Sequence, residues 1–529
     1  MRVLLVTGQL AKRDVEGYAR ESQVEFEVKA LPVAVAALLT PRLIASHLRG
    51  EDLADFDLVL TPGLVRGDLS VVEDALGIPT FKGPRHAADL PFVLRMIPQA
   101  KLSKTTPACD VLQAQLRQSA FKEIEDTESR RQELLEKPWN LLLGRGVSSI
   151  SIGPDFPTRV IAEILDAPLL SDRELRCQAL YYADQGADII DVGMIAGEAR
   201  ATDAERAVRI VKETVRLPVS IDSFNLDEIE AAISAGADLV LSLDGSNIDS
   251  LAHPNPDVGF VVIPTDREEG AYPLEAEERV ERLRENIEMA RRRGVRKIIG
   301  DLVLDPVGAP GVLEALVAYR LFRKKDPHTP LLLGVGNVTE LMDADSPGVN
   351  ALLAAVGSEV SASLILTTEG SRKTRRSVSE LSKAVKMMFL ARRRRSPPKD
   401  LGLDLLVLKE KRLTEEPYDL SVEEGAQVLE APPSDAFPQD PAGYFKVLID
   451  RANARIAALH FRLGDAKPDV ILKGEDSESI SQTIVARGLV SRLDHAAYIG
   501  RELQKAEVAL RLDKSYVQDC PLFAMSAGG

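Results

Sequence analysis

The sequence has 529 residues, too many for one hydrophobic core, and its 45% hydrophobic and 28% charged residues are typical of a soluble globular protein with several domains. Its three cysteines lie far apart with no Cys-x-x-Cys spacing, which argues against a disulfide framework or a cysteine-rich metal site. The net charge of −15 argues against nucleic-acid binding, and the lack of a long apolar run argues against a membrane span. We therefore expect a cytoplasmic protein.

Residues 1–104 are predicted to form an α/β domain of the flavodoxin-like or Rossmann-like type. Short apolar segments alternate there with helical runs, and they are 3–7, 24–30, 58–61 and 78–81. This spacing favours a small parallel sheet covered by helices. Residues 105–144 are polar with a helical pattern, and we expect them to be a helical linker to the next domain.

Residues 145–395 carry the pattern of a (β/α)8 TIM barrel. Helical runs separate eight strand candidates, which are 148–152, 187–192, 219–222, 239–243, 259–264, 297–304, 330–335 and 360–367. Gly-Ala-Asp occurs before the second and the fourth strand, where a helix must stop and turn into the sheet. Eight β/α units over about 250 residues are typical of a closed barrel.

Residues 396–441 are proline-rich and charged, and we interpret them as a linker. Residues 442–529 then contain three strand candidates followed by two helical runs, which predicts a small α+β domain. Arg392 to Arg395, just before the linker, are expected to be the solvated last turn of a helix, where cations suit the helix dipole.

The predicted barrel brings polar residues together, because the carboxyl ends of its strands open on the same face. The residues at these ends are Asp155, Asp191, Asp222, Asn225, Ser242, Asp244, Asp305, Asn337, Thr368 and Glu369. Buried carboxylates are costly unless they are paired, so stability alone explains several of them poorly. The sequence therefore predicts a functional site at this mouth.

Two kinds of ligand fit these side chains. An aspartate can accept two parallel hydrogen bonds from a ring N–H and an amino group of a flat heterocycle, and an asparagine supplies both a donor and an acceptor. The same oxygens can instead hold a divalent metal, although the sequence has no histidine pair at metal-ligand spacing. Arg372 and Lys373 follow the eighth strand, where they suit a phosphate or carboxylate or else form a solvated helix end.

Three segments resemble the successive strand motifs of the pterin-binding TIM barrels, the dihydropteroate synthases and the corrinoid-linked methyltetrahydrofolate methyltransferases. They are Ala-Asp-Ile-Ile-Asp-Val-Gly at 187–193, Val-Ser-Ile-Asp-Ser at 219–223 and Leu-Val-Leu-Asp-Pro at 302–306. With its terminal domains, the whole layout is similar to the dihydropteroate synthase-like proteins of organisms that use tetrahydromethanopterin. The resemblance implies a reduced pterin as ligand or substrate, room for Mg²⁺, and a homodimer.

The resemblance also implies roles for the residues at the mouth. Asp222 and Asp305 would hold the pterin ring, in a pocket that includes Asp191, Ser242 and Asn337. Catalysis would fall to Asp222 and Asp305 together with Arg372 and Lys373. The edge of the pocket would be formed by Asp155, Asn225, Asp244, Thr368 and Glu369.

The sequence departs from true dihydropteroate synthases at several motifs. Where they carry Asn-Val-Thr-Pro-Asp, the stretch compared with it is Ser-Ile-Gly-Pro-Asp at 151–155, and the fourth-strand Asn-Asp pair appears as Leu241-Ser242. The seventh-strand Ser-Arg-Lys becomes Gly-Asn-Val at 336–338, and the Arg-x-His after the eighth strand is absent. These changes leave three hypotheses, namely joining of a pterin to an arylamine, one-carbon transfer from a pterin, and a non-catalytic pterin-binding scaffold.

Overall fold

The structure is a computed structural model that describes residues 1–97, 101–197, 199–251, 253–308, 311–409, 427–431 and 438–523. The chain divides into two compact units, Met1–Lys411 and Arg412–Gly529, and each is described by itself. Among the described residues, we find no helix whose length and hydropathy would suit it to a bilayer.

The first unit begins with a four-stranded parallel sheet whose strand order is β2-β1-β3-β4. The elements in chain order are β1 (Arg2–Gly8), α1 (Lys12–Ala19), β2 (Glu25–Leu31), α2 (Pro41–Leu48), β3 (Leu58–Thr61), α3 (Ser70–Leu76), β4 (Thr80–Lys82) and α4 (Leu90–Met96). Apolar residues pack on both faces of this sheet, as expected for a parallel sheet covered by helices.

Three helices and a hairpin connect this sheet to the barrel. They are α5 (Ala108–Val111), α6 (Gln113–Ser129), α7 (Arg131–Leu135), β5 (Leu141–Leu143) and β6 (Ile150–Ile152). The two strands pair antiparallel, and Leu143 and Ile152 belong to the same buried cluster as Ile161 and Ile189 inside the barrel. Leu143 lies so close to Gly259, the first residue of its barrel strand, that a Cβ there would clash with it. The hairpin therefore closes the amino-terminal end of the barrel.

The predicted barrel is confirmed, because eight parallel strands close in the order β10-β11-β12-β13-β14-β7-β8-β9. The strands are β7 (Arg159–Ile164), β8 (Ile189–Gly193), β9 (Val219–Asp222), β10 (Leu239–Leu243), β11 (Gly259–Val262), β12 (Lys297–Asp301), β13 (Leu331–Gly334) and β14 (Ala362–Thr368). The helices are α8 (Asp172–Asp184), α9 (Ala201–Thr214), α10 (Leu226–Ser234), α11 (Gly245–Ile248), α12 (Ala276–Arg292), α13 (Val312–Lys325), α14 (Gly336–Thr339), α15 (Ser346–Glu359) and α16 (Ser377–Arg394).

Alternate strand residues divide the apolar core into two layers. One layer fills the inside of the barrel and includes Ile161, Leu239 and Leu364, and the other packs between strands and helices and includes Val160, Val240 and Ile365. Because successive side chains of a strand point to opposite faces, a strand buried on both sides reads as a continuous apolar run.

The first barrel strand corrects the prediction from sequence. Residues 148–152 do not enter the barrel, since β6 lies in the hairpin, and the first barrel strand is β7. Arg159 and Glu163 break the apolar run of β7, which hid it in the sequence. The Arg159 guanidinium is buried, and its burial is tolerated because it donates to the Ser151 carbonyl at 2.9 Å and to Glu128 at 2.6 Å.

The arginines at the end of α16 also differ from expectation. Arg392 Nη2 donates to the Pro154 carbonyl at 2.6 Å, and Arg394 pairs with Glu123 at 3.0 Å. Tyr18 of α1 donates to the Arg394 carbonyl at 2.5 Å. These arginines hold the end of the helix to neighbouring segments, so the expectation of a fully solvated turn was wrong.

The second unit contains an antiparallel sheet and two helices. Its elements are β15 (Tyr444–Asp450), β16 (Arg455–Phe461), β17 (Val470–Gly474), α17 (Ser477–Ala486) and α18 (Leu493–Arg511). Apolar residues of one sheet face, such as Phe445 and Ile456, form a core with Ile480 and Leu503 of the helices. This is the α+β pattern predicted for the segment after the linker.

Candidate active site at the carboxyl end of the barrel

A cavity of about 520 Å³ opens at the carboxyl ends of the barrel strands. Its apolar wall includes Leu241, Ile263, Leu332 and Leu366, and its polar side chains are Glu163, Asp222, Ser242, Asp301, Asn337, Glu340, Thr367 and Thr368. An apolar pocket with a few polar groups is the usual form of a small-molecule site. Four residues predicted for the mouth therefore line this cavity, namely Asp222, Ser242, Asn337 and Thr368.

Three carboxylates converge beside this cavity from three neighbouring strands. Glu163 of β7 lies opposite Asp191 of β8 in the strand register, and Asp222 ends β9. One carboxylate oxygen from each residue lies within 4.8 Å of the other two. We call Glu163, Asp191 and Asp222 the carboxylate trio. Its member Glu163 was missed in the sequence because β7 was missed.

Few hydrogen bonds support the trio. Ser220 Oγ donates to Asp191 Oδ1 at 2.6 Å, and Ser242 Oγ donates to Asp222 Oδ1 at 2.8 Å. Asp191 is completely buried, and its Oδ2 atom accepts no hydrogen bond from the described residues. An unsatisfied buried carboxylate oxygen is expensive, which marks this spot as functional rather than stabilising.

The trio resists ionisation. Burial, followed by the Asp222 charge, raises the pKa of Glu163 to about 7. Burial and the charges of Asp222 and Glu163 raise the pKa of Asp191 well above its usual value. Burial also raises the pKa of Asp222, against the Ser242 hydrogen bond that lowers it. Like charges this close disfavour one another, so three negative charges persist here only beside a cation.

Asp301 supplies the acid on the opposite side of the cavity. It ends β12, accepts from the Val303 amide at 2.8 Å and is bonded to the buried Tyr319 hydroxyl, which also lies 2.9 Å from the Leu332 carbonyl. Burial raises the pKa of Asp301 to about 6 despite these hydrogen bonds. Since the strand ends here instead of running on to Leu304, Asp301 is the acid at the strand end.

Asp305 does not line the cavity, contrary to the expectation that it holds a pterin ring. Its Oδ2 atom pairs at 2.5 Å with the Arg279 guanidinium of α12, which is only 3% exposed. Arg279 also donates to the Val303 carbonyl at 2.9 Å. The Asp305 carboxylate thus holds the loop after β12 in place, and Asp301 lines the cavity instead.

The backbone is strained at two positions of this mouth. Ser242 and Val303 adopt positive φ angles of 72° and 61°. Such angles are uncommon for residues other than glycine and costly for a β-branched valine. Strained backbone conformations persist only where the surrounding structure enforces them, and they often occur at functional sites. Here they set the Ser242 hydroxyl beside Asp222 and the Val303 amide beside Asp301.

Other predicted residues have structural partners. Asp155 precedes β7 at the amino-terminal side of the barrel, where it accepts from Lys137, Trp139 and Asn140 at 2.8, 2.6 and 2.9 Å, so its assignment to the mouth was wrong. The comparison with Asn-Val-Thr-Pro-Asp therefore belongs to the segment that follows β7. Asp244 is completely buried and caps α11, where it accepts from the Ser246 amide.

Thr368, the last residue of β14, lines the cavity, whereas the predicted residues after β14 lie outside it. Glu369 accepts from the Tyr181 hydroxyl at 2.9 Å. Lys373 pairs with Asp343 at 2.9 Å, and Arg372 begins the same short turn. The sequence placed Arg372 and Lys373 after the correct strand, but it did not indicate where their loop leads.

A second cavity of about 390 Å³ adjoins the first, and Asp222 and Phe224 line both. Arg267, which follows β11, stacks its guanidinium 4.2 Å from the centre of the Phe224 ring. Asn225 lines this cavity too, while its side-chain oxygen caps α10 by accepting from the Asp227 and Glu228 amides. Arg267 is thus a cation of the second cavity that sequence reasoning missed.

Three protein families match parts of the chain. Residues 168–356 match the family described as Pterin binding enzyme, residues 439–519 match PterinBD-DUF4346, and residues 1–85 match DUF6513, a family of unknown function. The first match covers most of the barrel. It supports a dihydropteroate synthase-like, pterin-binding type of (β/α)8 barrel.

Among curated proteins, the uncharacterized protein MJ0107 of Methanocaldococcus jannaschii is 37% identical over 545 residues and covers 99% of both chains. A dihydropteroate synthase of Clostridium beijerinckii is 30% identical over 173 residues, which are 28% of this chain and 61% of that protein. Among solved structures, Xanthomonas albilineans dihydropteroate synthase in complex with 7,8-dihydropteroate is 18% identical, with a TM-score of 0.35, over 44% of this chain and 92% of that chain.

Proposed function

The chain belongs to the family of the uncharacterized protein MJ0107, and from that premise we propose that it is an enzyme that binds a reduced pterin at the mouth of its barrel. The observation that carries the proposal is the 520 Å³ cavity, in which an apolar wall faces carboxyl groups on two sides. A pterin is a flat ring with an amidine-like edge, and such an edge donates parallel hydrogen bonds to a carboxylate.

We assign recognition of the ring to Asp222 and Asp301, with Ser242 and Asn337 beside them. Asp222 is oriented by Ser242, and Asp301 by Val303 and Tyr319. Asn337 Nδ2 donates to the Leu304 carbonyl at 2.8 Å, which fixes the amide at the cavity wall. Preorganised polar groups of this kind bind a ligand without first having to reorder.

The reaction we propose is transfer of a pterin methyl group to an arylamine, as a step in the biosynthesis of tetrahydromethanopterin or a related cofactor. The amine nitrogen forms a bond to the methylene carbon on the pterin ring as the bond from that carbon to the diphosphate oxygen breaks, and the amine proton passes to solvent. The second cavity offers room for the acceptor beside the pterin. Arg267 lies there and suits a negative charge on either the acceptor or the leaving group.

One observation favours a second reaction, one-carbon transfer from a methylated pterin. The pKa of Glu163, raised to about 7, leaves a proton on the trio near neutral pH. A carboxyl group with a pKa near the working pH is an effective general acid, so Glu163 or Asp222 would protonate a ring nitrogen as the carbon group leaves.

Calorimetry with reduced pterins tests the binding assignment. We expect the Asp222→Asn and Asp301→Asn variants to weaken binding about 10- to 100-fold, since a hydrogen bond to a charged group contributes roughly 1.5–3 kcal/mol. Asp305→Asn is the comparison variant, because Asp305 lies four residues beyond Asp301 and outside the cavity, and thermal unfolding shows whether loss of its pairing with Arg279 disturbs the fold. If all three variants bound pterin as tightly as the wild type, the assignment of Asp222 and Asp301 to ring recognition would be wrong. If only Asp305→Asn lost pterin affinity, ring recognition would belong to Asp305.

Product formation separates the two reactions. Incubation with a pterin diphosphate and an aminobenzene acceptor should yield the coupled product if the first proposal is correct. A methylated pterin with a corrinoid or thiol acceptor should be demethylated if the second is correct. Tight pterin binding without either product would instead support a non-catalytic carrier.

A further inference from the structure

We propose that Glu163, Asp191 and Asp222 bind a divalent cation of the Mg²⁺ or Mn²⁺ class. The site goes beyond pterin recognition, since only Asp222 belongs to both groups. Carboxylate oxygens are the ligands that these hard cations prefer in proteins. The proposal stands on the geometry of the trio and on a carboxylate oxygen that lacks a donor.

The spacing of the oxygens suits such a cation. Bonds of about 2.1 Å in an octahedron put neighbouring oxygens about 3 Å apart and opposite ones about 4 Å apart. The trio offers one oxygen per residue, all within 4.8 Å of one another.

The unsatisfied oxygen of Asp191 is the second observation. Asp191 is 0% exposed, its Oδ1 atom accepts from Ser220, and its Oδ2 atom accepts nothing among the described residues. The trio is the group into which this side chain is directed. A buried carboxylate in this position needs a proton or a cation as its partner.

The described part of the chain provides no cationic partner for the trio. No ion pair joins Glu163, Asp191 or Asp222 to a lysine, arginine or histidine there. Each of the three strands contributes one of these carboxylates, and two serines orient them. Net negative charge with preset oxygen ligands is the arrangement that attracts a divalent cation.

The remaining coordination positions would face the cavity, because Glu163 and Asp222 line it while Asp191 lies behind them. Mg²⁺ and Mn²⁺ commonly keep such positions for water or for oxygens of a substrate. The cation would therefore lie where the two cavities meet, within reach of a ligand in either.

Titration of the full-length protein with Mn²⁺ in the absence of pterin, followed by electron paramagnetic resonance of the free ion, tests the site. We expect one saturable site in the wild type and at least about tenfold weaker binding in Glu163→Gln and Asp191→Asn, since each loses a charged ligand. Glu163 is only partly buried and glutamine has nearly the same shape, so Glu163→Gln still tests the site if the Asp191→Asn variant does not fold. Thermal unfolding shows whether each variant is folded.

Asp301→Asn is the matched control, because it removes an acid from the same cavity but outside the trio. It should keep wild-type Mn²⁺ affinity while losing pterin affinity, which separates this site from the proposed function. Absence of saturable Mn²⁺ binding to the wild type at millimolar concentration would overturn the proposal, as would wild-type affinity in Glu163→Gln. In that case the trio shares protons instead.

Discussion

Replacing Glu163 with glutamine should stabilise the metal-free protein at high pH. Burial and the Asp222 charge raise the pKa of Glu163 to about 7 in the folded chain, against an ordinary value of 4.5. A difference of roughly 2.5 pKa units corresponds to about 3 kcal/mol of stability lost when the group is ionised. Glutamine has nearly the same shape, carries no charge and can donate a hydrogen bond to Asp191 or Asp222.

The sign of the pH dependence follows from the raised pKa. Below about pH 4 the carboxyl is protonated in both the folded and the unfolded chain, so the wild type and the variant should be equally stable. As the pH rises, the unfolded chain ionises first, and wild-type stability falls relative to the variant until the folded carboxyl ionises near pH 7. The gain should therefore be largest above pH 8.

Urea unfolding in EDTA, followed by fluorescence, measures this gain. Trp139 is the only tryptophan of the sequence, and it is bonded to Asp155 and stacked on His328 at the closed end of the barrel. Its emission therefore reports unfolding of the barrel. Asp305→Asn is a control with the opposite sign, because it leaves the buried Arg279 without its carboxylate. A Glu163→Gln variant no more stable than wild type at pH 8, or one equally stabilised at pH 4, would refute the reasoning.

Two further variants test other parts of the barrel. The Tyr319 hydroxyl is bonded to Asp301 and lowers the pKa of that carboxyl, so Tyr319→Phe should raise the pH at which pterin binding is half lost from about 6. Titration calorimetry between pH 5 and 8 measures this midpoint, and an unchanged midpoint would argue against the pairing. Leu143→Ala leaves a cavity where the hairpin fills the barrel, so it should lower the free energy of unfolding by about 2–5 kcal/mol. Urea unfolding measures this loss, and Val147→Ala, at an exposed position of the same hairpin, is the control. Equal stability of these two variants would contradict the described role of the hairpin.

The sequence predicts the barrel well where its strands are uninterrupted apolar runs that end in a polar residue. Asp222 ends its strand, and Asp191 and Ser242 lie within the last three residues of theirs, near the ends predicted from the sequence. Helix boundaries at Gly186 and Gly236 were equally clear, because both glycines adopt the positive φ angles that end a helix.

Glu163 and Asp301 were missed for two physical reasons. Arg159 and Glu163 are ionisable residues within a barrel strand, and a distant partner, Glu128, makes the burial of Arg159 tolerable. After β12, Leu302-Val303-Leu304 reads as a continued strand, whereas Val303 turns into a left-handed conformation that a β-branched residue rarely adopts. Long-range contacts decide where β7 forms and where β12 ends, and the local sequence pattern carries no information about such contacts.

The β5–β6 hairpin closes one end of the barrel. Leu143 and Ile152 fill its amino-terminal end, and the cavity opens at the carboxyl end. A ligand bound at the mouth would therefore enter and leave on the side of the carboxyl ends. If the proposed reaction is correct, a bound product would occupy the place of the next substrate until it leaves.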